Sequence, residues 1–228
     1  MYFPILRGRQ FELIALRELV ESNLIGKRIV PIIEPVKPTS TLISTLVSFR
    51  KIMAPVAVIR NPHVGDMITE LNNAANNALR EKFFAEIDKN AFISTFYIDN
   101  EDGISKFSLA QKNITPKESI AICKDKDSLT KYSSIYNNEG ALYTLIYDDR
   151  SLRRAISGNK VILSDNFKRK ERNTEYLQKV DEVFTEDNVY YTDEGYVGFS
   201  DYSIICLAHP GSCYSLSDMV SLLNQKQK

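Results

Sequence analysis

Residues 28–53 read RIVPIIEPVKPTSTLISTLVSFRKIM, and the fold turns on how this stretch divides. Its first part, RIVPIIEPV, is a β-branched run interrupted only by prolines and one glutamate. The run is continuous rather than alternating, which is how a strand buried on both faces of a parallel sheet reads. Pro-Thr-Ser then supplies a helix start signal. Leu42, Ile43, Leu46, Val47 and Phe49 follow at helical spacing over residues 40–53. The stretch is one strand followed by one amphipathic helix.

The same unit recurs along the chain. Strand patterns fall at residues 2–6, 28–36, 55–60, 92–99, 119–123, 142–147, 160–163 and 197–205. Helix patterns fall at 10–24, 40–53, 64–87, 103–112, 126–137, 149–157, 169–184 and 215–227, with an Asn-rich centre in 64–87 that predicts a break or kink. Strict alternation leaves a doubly wound open sheet or a (β/α)8 barrel. Eight repeats in 228 residues favour the TIM-like barrel, as a single α/β domain over 1–228.

Composition narrows the function classes. Lys+Arg and Asp+Glu both total 29, so the net charge is zero and nucleic acid is not indicated as a partner. No apolar run is long enough to span a membrane, and no signal-peptide pattern opens the chain. Three cysteines, Cys123, Cys206 and Cys213, read as a reducing, cytoplasmic setting.

A barrel builds its site from the loops after its strands. These ends are polar throughout: Arg7, Arg9 and Gln10; Glu34 and Lys37; Arg60 and Asn61; Asp99 to Asp102; Lys124 and Asp125; Asp148 to Arg150; Ser164, Asp165 and Asn166; and Ser200 with Asp201 inside the eighth run. For Asp102, Asp125 and Asp149 the bland reading is a helix cap. Glu34, Arg60 and Asp201 resist it, because a charge within an apolar strand needs a partner. A structural ion pair of Glu34 with Arg7 or Arg60 stands beside a catalytic role. The candidates for catalysis are Glu34, Arg60, Asp148, Asp165 and Asp201. Those for ligand binding are Arg7, Arg9, Gln10 and Asn61.

Glu34, Asp99, Asp148, Asp165 and Asp201 are oxygen donors suited to a divalent metal, with metal ligands otherwise unassigned. His63 could face the site, but a lone loop histidine without an orienting partner is the plainer reading. Cys206, His209 and Cys213 lack the fourth ligand and the spacing of a zinc finger. The run FKRKER at 167–172 has no interleaved aromatics, so it is a weak nucleic-acid patch.

The opening stretch YFPILRGRQFELIALREL and the later RIVPIIEPV resemble the start of the phage and prophage "beta protein" family and its bacterial relatives. Tyr2, Pro4, Leu6, Arg7, Arg9, Gln10, Glu12, Ala15 and Leu16 match its first motif, and Pro31 and Glu34 its second. GYVGFSDYSII at 195–205 resembles its C-terminal half, whereas the tail after Ile205 departs from it. That departure makes the closing end of the barrel the place for an incomplete or irregular strand. The resemblance implies an occurrence in prophages and a link to phage exclusion or phage–host conflict, and no activity.

Two readings of function follow. One is a hydrolase or lyase acting on an anionic, phosphorylated or nucleotide-like small molecule at the C-terminal face of the strands. The other is a non-enzymatic barrel that recognises a phage or host protein.

Overall fold

The computed structural model describes residues 1–89, 91–99, 105, 109–110, 112–165 and 185–203. Eight strands form: β1 Tyr2–Leu6, β2 Ile32–Ile33, β3 Ala57–Ile59, β4 Ile93–Tyr97, β5 Ile120–Cys123, β6 Tyr143–Ile146, β7 Lys160–Ser164 and β8 Gly198–Tyr202. Each pairs in parallel with the next, and β8 pairs in parallel with β1, so the sheet closes in sequence order. This is the (β/α)8 architecture that the alternation predicts, and β8 completes it regularly through Tyr202.

The helices between them are α1 Gln10–Glu21, α2 Ser40–Ile52, α3 Met67–Asn72, α4 Asn77–Ile87, α5 Ser128–Tyr136, α6 Arg150–Ala155 and the short α7 Asp187–Tyr190. The helix patterns at 169–184 and 215–227, and most of that at 103–112, lie outside the described residues.

α2 starts where the Thr39 hydroxyl oxygen accepts the Leu42 N–H at 3.1 Å and stops at Met53, which takes a left-handed conformation. Leu42, Leu46 and Phe49 are fully buried on one face, against Leu13 and Leu16 of α1. Each such side chain contributes roughly 1.5–3 kcal/mol by leaving water. Polar bonds fix the angle between the helices: Thr45 donates to the Leu13 carbonyl at 3.0 Å and Ser48 to the Glu21 carboxylate at 2.6 Å.

Two elements differ from their sequence patterns. The run at 28–36 gives only Ile32–Ile33 as regular strand, because Pro31 and Pro35 have no N–H for the ladder. Its backbone is still paired on both sides: the Glu34 N–H donates to the Leu6 carbonyl and Ala57 N–H to the Pro31 carbonyl, both at 2.8 Å. The pattern at 64–87 breaks at Asn73, whose side-chain oxygen accepts the Ala75 N–H at 3.0 Å and starts a 3-10 turn. The asparagine side chain thus competes with the helix ladder.

Alternate strand residues separate two cores. Phe3, Ile5, Ile32, Ile59, Ile122, Leu145, Val161 and Leu163 form a cluster within the barrel. Their neighbours, among them Leu6, Ile33, Val58, Phe96, Ile146, Ile162 and Phe199, belong to clusters that include the helices. Odd residues point inward on β1, β3, β4, β6 and β7, and even ones on β2, β5 and β8. This parity decides which polar residues can meet.

Tyr2 and Asp201 both fall on the outer face. The Tyr2 hydroxyl donates to Asp201 Oδ1 at 2.8 Å, and both residues are buried. Burial, then the Asp201 charge, push the Tyr2 phenol far above its ordinary range. Tyr2→Phe removes a hydrogen bond to a charged group and is expected to lower stability by about 1.5–3 kcal/mol in urea unfolding. A change under about 0.5 kcal/mol would show the bond to be dispensable.

Candidate functional site

At the C-terminal end of the barrel, the last inward positions of the four even-numbered strands are Glu34, Tyr97, Tyr147 and Tyr202. Barrel interiors stack such layers of four from alternate strands. Here the layer is polar. The Tyr97 hydroxyl donates to Glu34 Oε2 at 3.1 Å and lies 3.4 Å from the Tyr202 hydroxyl. Tyr147 is the third phenol of the layer, and Tyr202 and Asp165 both oppose its ionisation. One carboxylate and two phenols are thereby joined across the barrel mouth, with the Tyr147 phenol in the same layer.

Glu34 is 1% exposed, and its second oxygen accepts the His63 N–H at 2.9 Å. It is held by a strand end that cannot extend, with Pro35 behind it, and by the β1–α1 corner above. Gly8 in that corner has φ +53°, and a Cβ there would stand 2.9 Å from the Glu34 carbonyl oxygen. Only glycine lets the corner lie this close.

The next inward positions, on the odd-numbered strands, are Arg7, Asn61, Lys124 and Asp165. Arg7, Asn61 and Lys124 touch the tyrosine layer. The Arg7 guanidinium lies 5.9 Å from the centre of the Tyr202 ring, and Lys124 Nζ 4.6 Å from that of Tyr97. Asn61 accepts the Tyr97 N–H at 3.0 Å and donates to the Tyr97 carbonyl at 2.9 Å, which locks β3 to β4. Asp165 acts on Tyr147 through its charge. His63 stacks on Tyr97 with ring centres 4.3 Å apart, and its Nε2 is 3.1 Å from Asp99 Oδ2. The histidine therefore has the orienting carboxylate that a working acid or base needs.

Burial is the largest cause pushing the Tyr97 and Tyr147 phenols above their ordinary range. Tyr202 and Glu34 add to it for Tyr97, and Tyr202 and Asp165 for Tyr147. Both are thus neutral donors at neutral pH. A raised folded-state value means that stability is fully present below the unfolded value, near 10, and is lost as pH rises through that point and above. Alkaline titration followed at 295 nm is expected to show these phenols, with Tyr2, ionising only as the fold is lost. Complete ionisation near pH 10 with the circular dichroism intact would contradict their placement.

The other candidates lie elsewhere. Arg9 precedes α1, where its N–H donates to Glu12 at 3.1 Å, and Gln10 is the first, exposed residue of that helix. Arg60 occupies an outward position after β3. Asp148 is 70% exposed at its side chain and pairs with Arg153 at 3.4 Å. Asp201 meets Tyr2 on the outer face. Among the described residues no three of His, Cys, Asp and Glu gather closely enough to hold a metal ion, so the five carboxylates do not form a joint ligand set. Asp149 and Asp125 are helix-start residues, accepting from Ser151 and Leu152 and from Asp127 and Ser128 respectively. Asn100 to Asp102, Asn166, the FKRKER run, Cys206, His209 and Cys213 lie outside the described residues.

Sequence reasoning missed Tyr97, Tyr147 and Tyr202. Their signal is positional: each is the last inward residue of an even-numbered strand, as Glu34 is. No protein-family model matches the chain, and no curated protein matches its sequence. No helix of the described residues is long and apolar enough to cross a membrane.

Proposed function

We propose that this barrel binds a small anionic molecule at the C-terminal face of its strands and carries out hydrolase- or lyase-type acid–base chemistry on it. The observation that carries the reading is the pair of cations over the tyrosine layer. Arg7 and Lys124 come from β1 and β5, opposite each other in the closed order, and lie over the two tyrosines whose hydroxyls meet at 3.4 Å. Neither makes an ion pair among the described residues, so both are available to a phosphate. Glu34 is the buried base beneath them, and Tyr97 holds its proton-accepting oxygen in place. His63, oriented by Asp99, is the second proton carrier. The "beta protein" resemblance of the N-terminal motif supports a setting in phage–host conflict for this chemistry.

Calorimetric titration with inorganic phosphate, phosphate monoesters and nucleotides tests the reading. Binding is expected, with Arg7→Met and Lys124→Met each weakening it about 10-fold or more. No binding of any of these anions at about 10 mM, well beyond ordinary substrate affinities, would sink it.

One observation favours a protein-recognition reading instead. Arg9, Gln10 and Phe11 are consecutive and exposed at the start of α1, with Phe11 67% exposed. Under that reading Phe11→Ala abolishes the biological effect while Glu34→Gln leaves it intact.

A further inference from the structure

Arg60 stands apart from the barrel mouth, and its surroundings form a cavity of their own. It follows the inward Ile59 by one residue and is directed outward, toward α3 and α4. There it lines a cavity of about 470 Å³. Met67, Ile68 and Leu71 of α3 and Phe83 and Phe84 of α4 form the walls. Ile68 and Phe84 are unusually exposed for their size, at 58% and 42%, and mark its open side.

The guanidinium has five donors and is largely withdrawn from solvent. Among the described residues it makes no hydrogen bond and no ion pair. Asp88, also on the cavity wall, acts on it only at longer range. Desolvation outweighs that attraction and pulls the Arg60 value down. A half-buried cation without a partner is costly unless a ligand satisfies it.

We propose that this cavity is a second binding site, separate from the mouth, for an amphipathic monocarboxylate with a medium-length aliphatic or aromatic body. The planar guanidinium fork matches a carboxylate in two parallel hydrogen bonds. Ile68, Leu71 and Phe84 offer the apolar surface for the body within an otherwise polar lining, and the volume lies within the range of small-molecule sites. Asp88 on the same cavity wall disfavours a dianion, which selects a carboxylate over a phosphate ester. Lys112 on the wall offsets part of that negative charge.

The test is calorimetric titration of the full chain with decanoate, with decan-1-ol as the uncharged comparison. Saturable one-to-one binding is expected, weakened about 10-fold to 100-fold by Arg60→Gln. Ile68→Glu, at an exposed position where folding is not at stake, is expected to weaken it similarly by placing a like charge at the opening. Decan-1-ol is expected to bind at least about 10-fold more weakly than decanoate. Lys124→Met is expected to leave decanoate affinity unchanged, which separates this site from the mouth. Absence of saturable decanoate binding would overturn the proposal. So would equal affinity in Arg60→Gln and the parent, or a loss in Lys124→Met that Arg60→Gln does not share.

Discussion

Glu34→Gln is expected to lower turnover by about 100-fold or more, the usual worth of a positioned acid or base. The melting temperature is expected to stay within about 4 °C of the parent, a shift equivalent to about 1–2 kcal/mol at most. The amide keeps the shape of the side chain and one accepting oxygen for the His63 N–H or the Tyr97 hydroxyl. It removes the charge and the ability to take a proton. Kinetics on whichever anion the titrations identify, run beside thermal melts, separate the two roles. A carboxylate kept only to tie His63 to Tyr97 would show the reverse pattern, with a large fall in melting temperature and turnover per folded molecule preserved.

Phe3→Ala is expected to cost about 3–5 kcal/mol, the largest stability loss among the single substitutions considered. Phe3 is fully buried inside the barrel, with its ring centre 4.9 Å from that of Tyr143. Gly198 on β8 makes room for it: a Cβ there would stand 3.0 Å from the Phe3 ring and 2.6 Å from the Met1 carbonyl oxygen. The hole left by alanine cannot be filled from that side, so the cavity term adds to the lost transfer term. Urea unfolding measures the difference, and a loss below about 1.5 kcal/mol would mean that the barrel interior collapses around the change.

The barrel was legible because burial on both faces writes itself as continuous apolar runs, and eight of these alternate with helix patterns. The site was legible only in part. Glu34, Arg7, Asn61 and Asp165 were visible as polar residues at strand ends, and the structure brings them to the mouth. Arg60, Asp148 and Asp201 were visible by the same token and lie elsewhere. A strand end gives height along the barrel, whereas the face depends on parity, and one residue of register reverses it. Asp201 precedes the inward Tyr202, and Arg60 precedes the inward Asn61. The three tyrosines carry no such mark, because aromatic residues at strand ends look like core. In the sequence His63 has no visible partner, because Asp99 follows the next strand and only folding brings them together.

The closure of β8 onto β1 also sets a clock. Tyr2 finds its sheet neighbour Phe199 only when almost 200 further residues exist. At ordinary synthesis speeds this is a delay of roughly 10–40 s, during which β1 can have β2 on one side and nothing on the other. That free edge is a template for pairing with other nascent chains. The first strand made is therefore the last to be completed, and the yield of folded protein is expected to depend on how quickly translation reaches Tyr202.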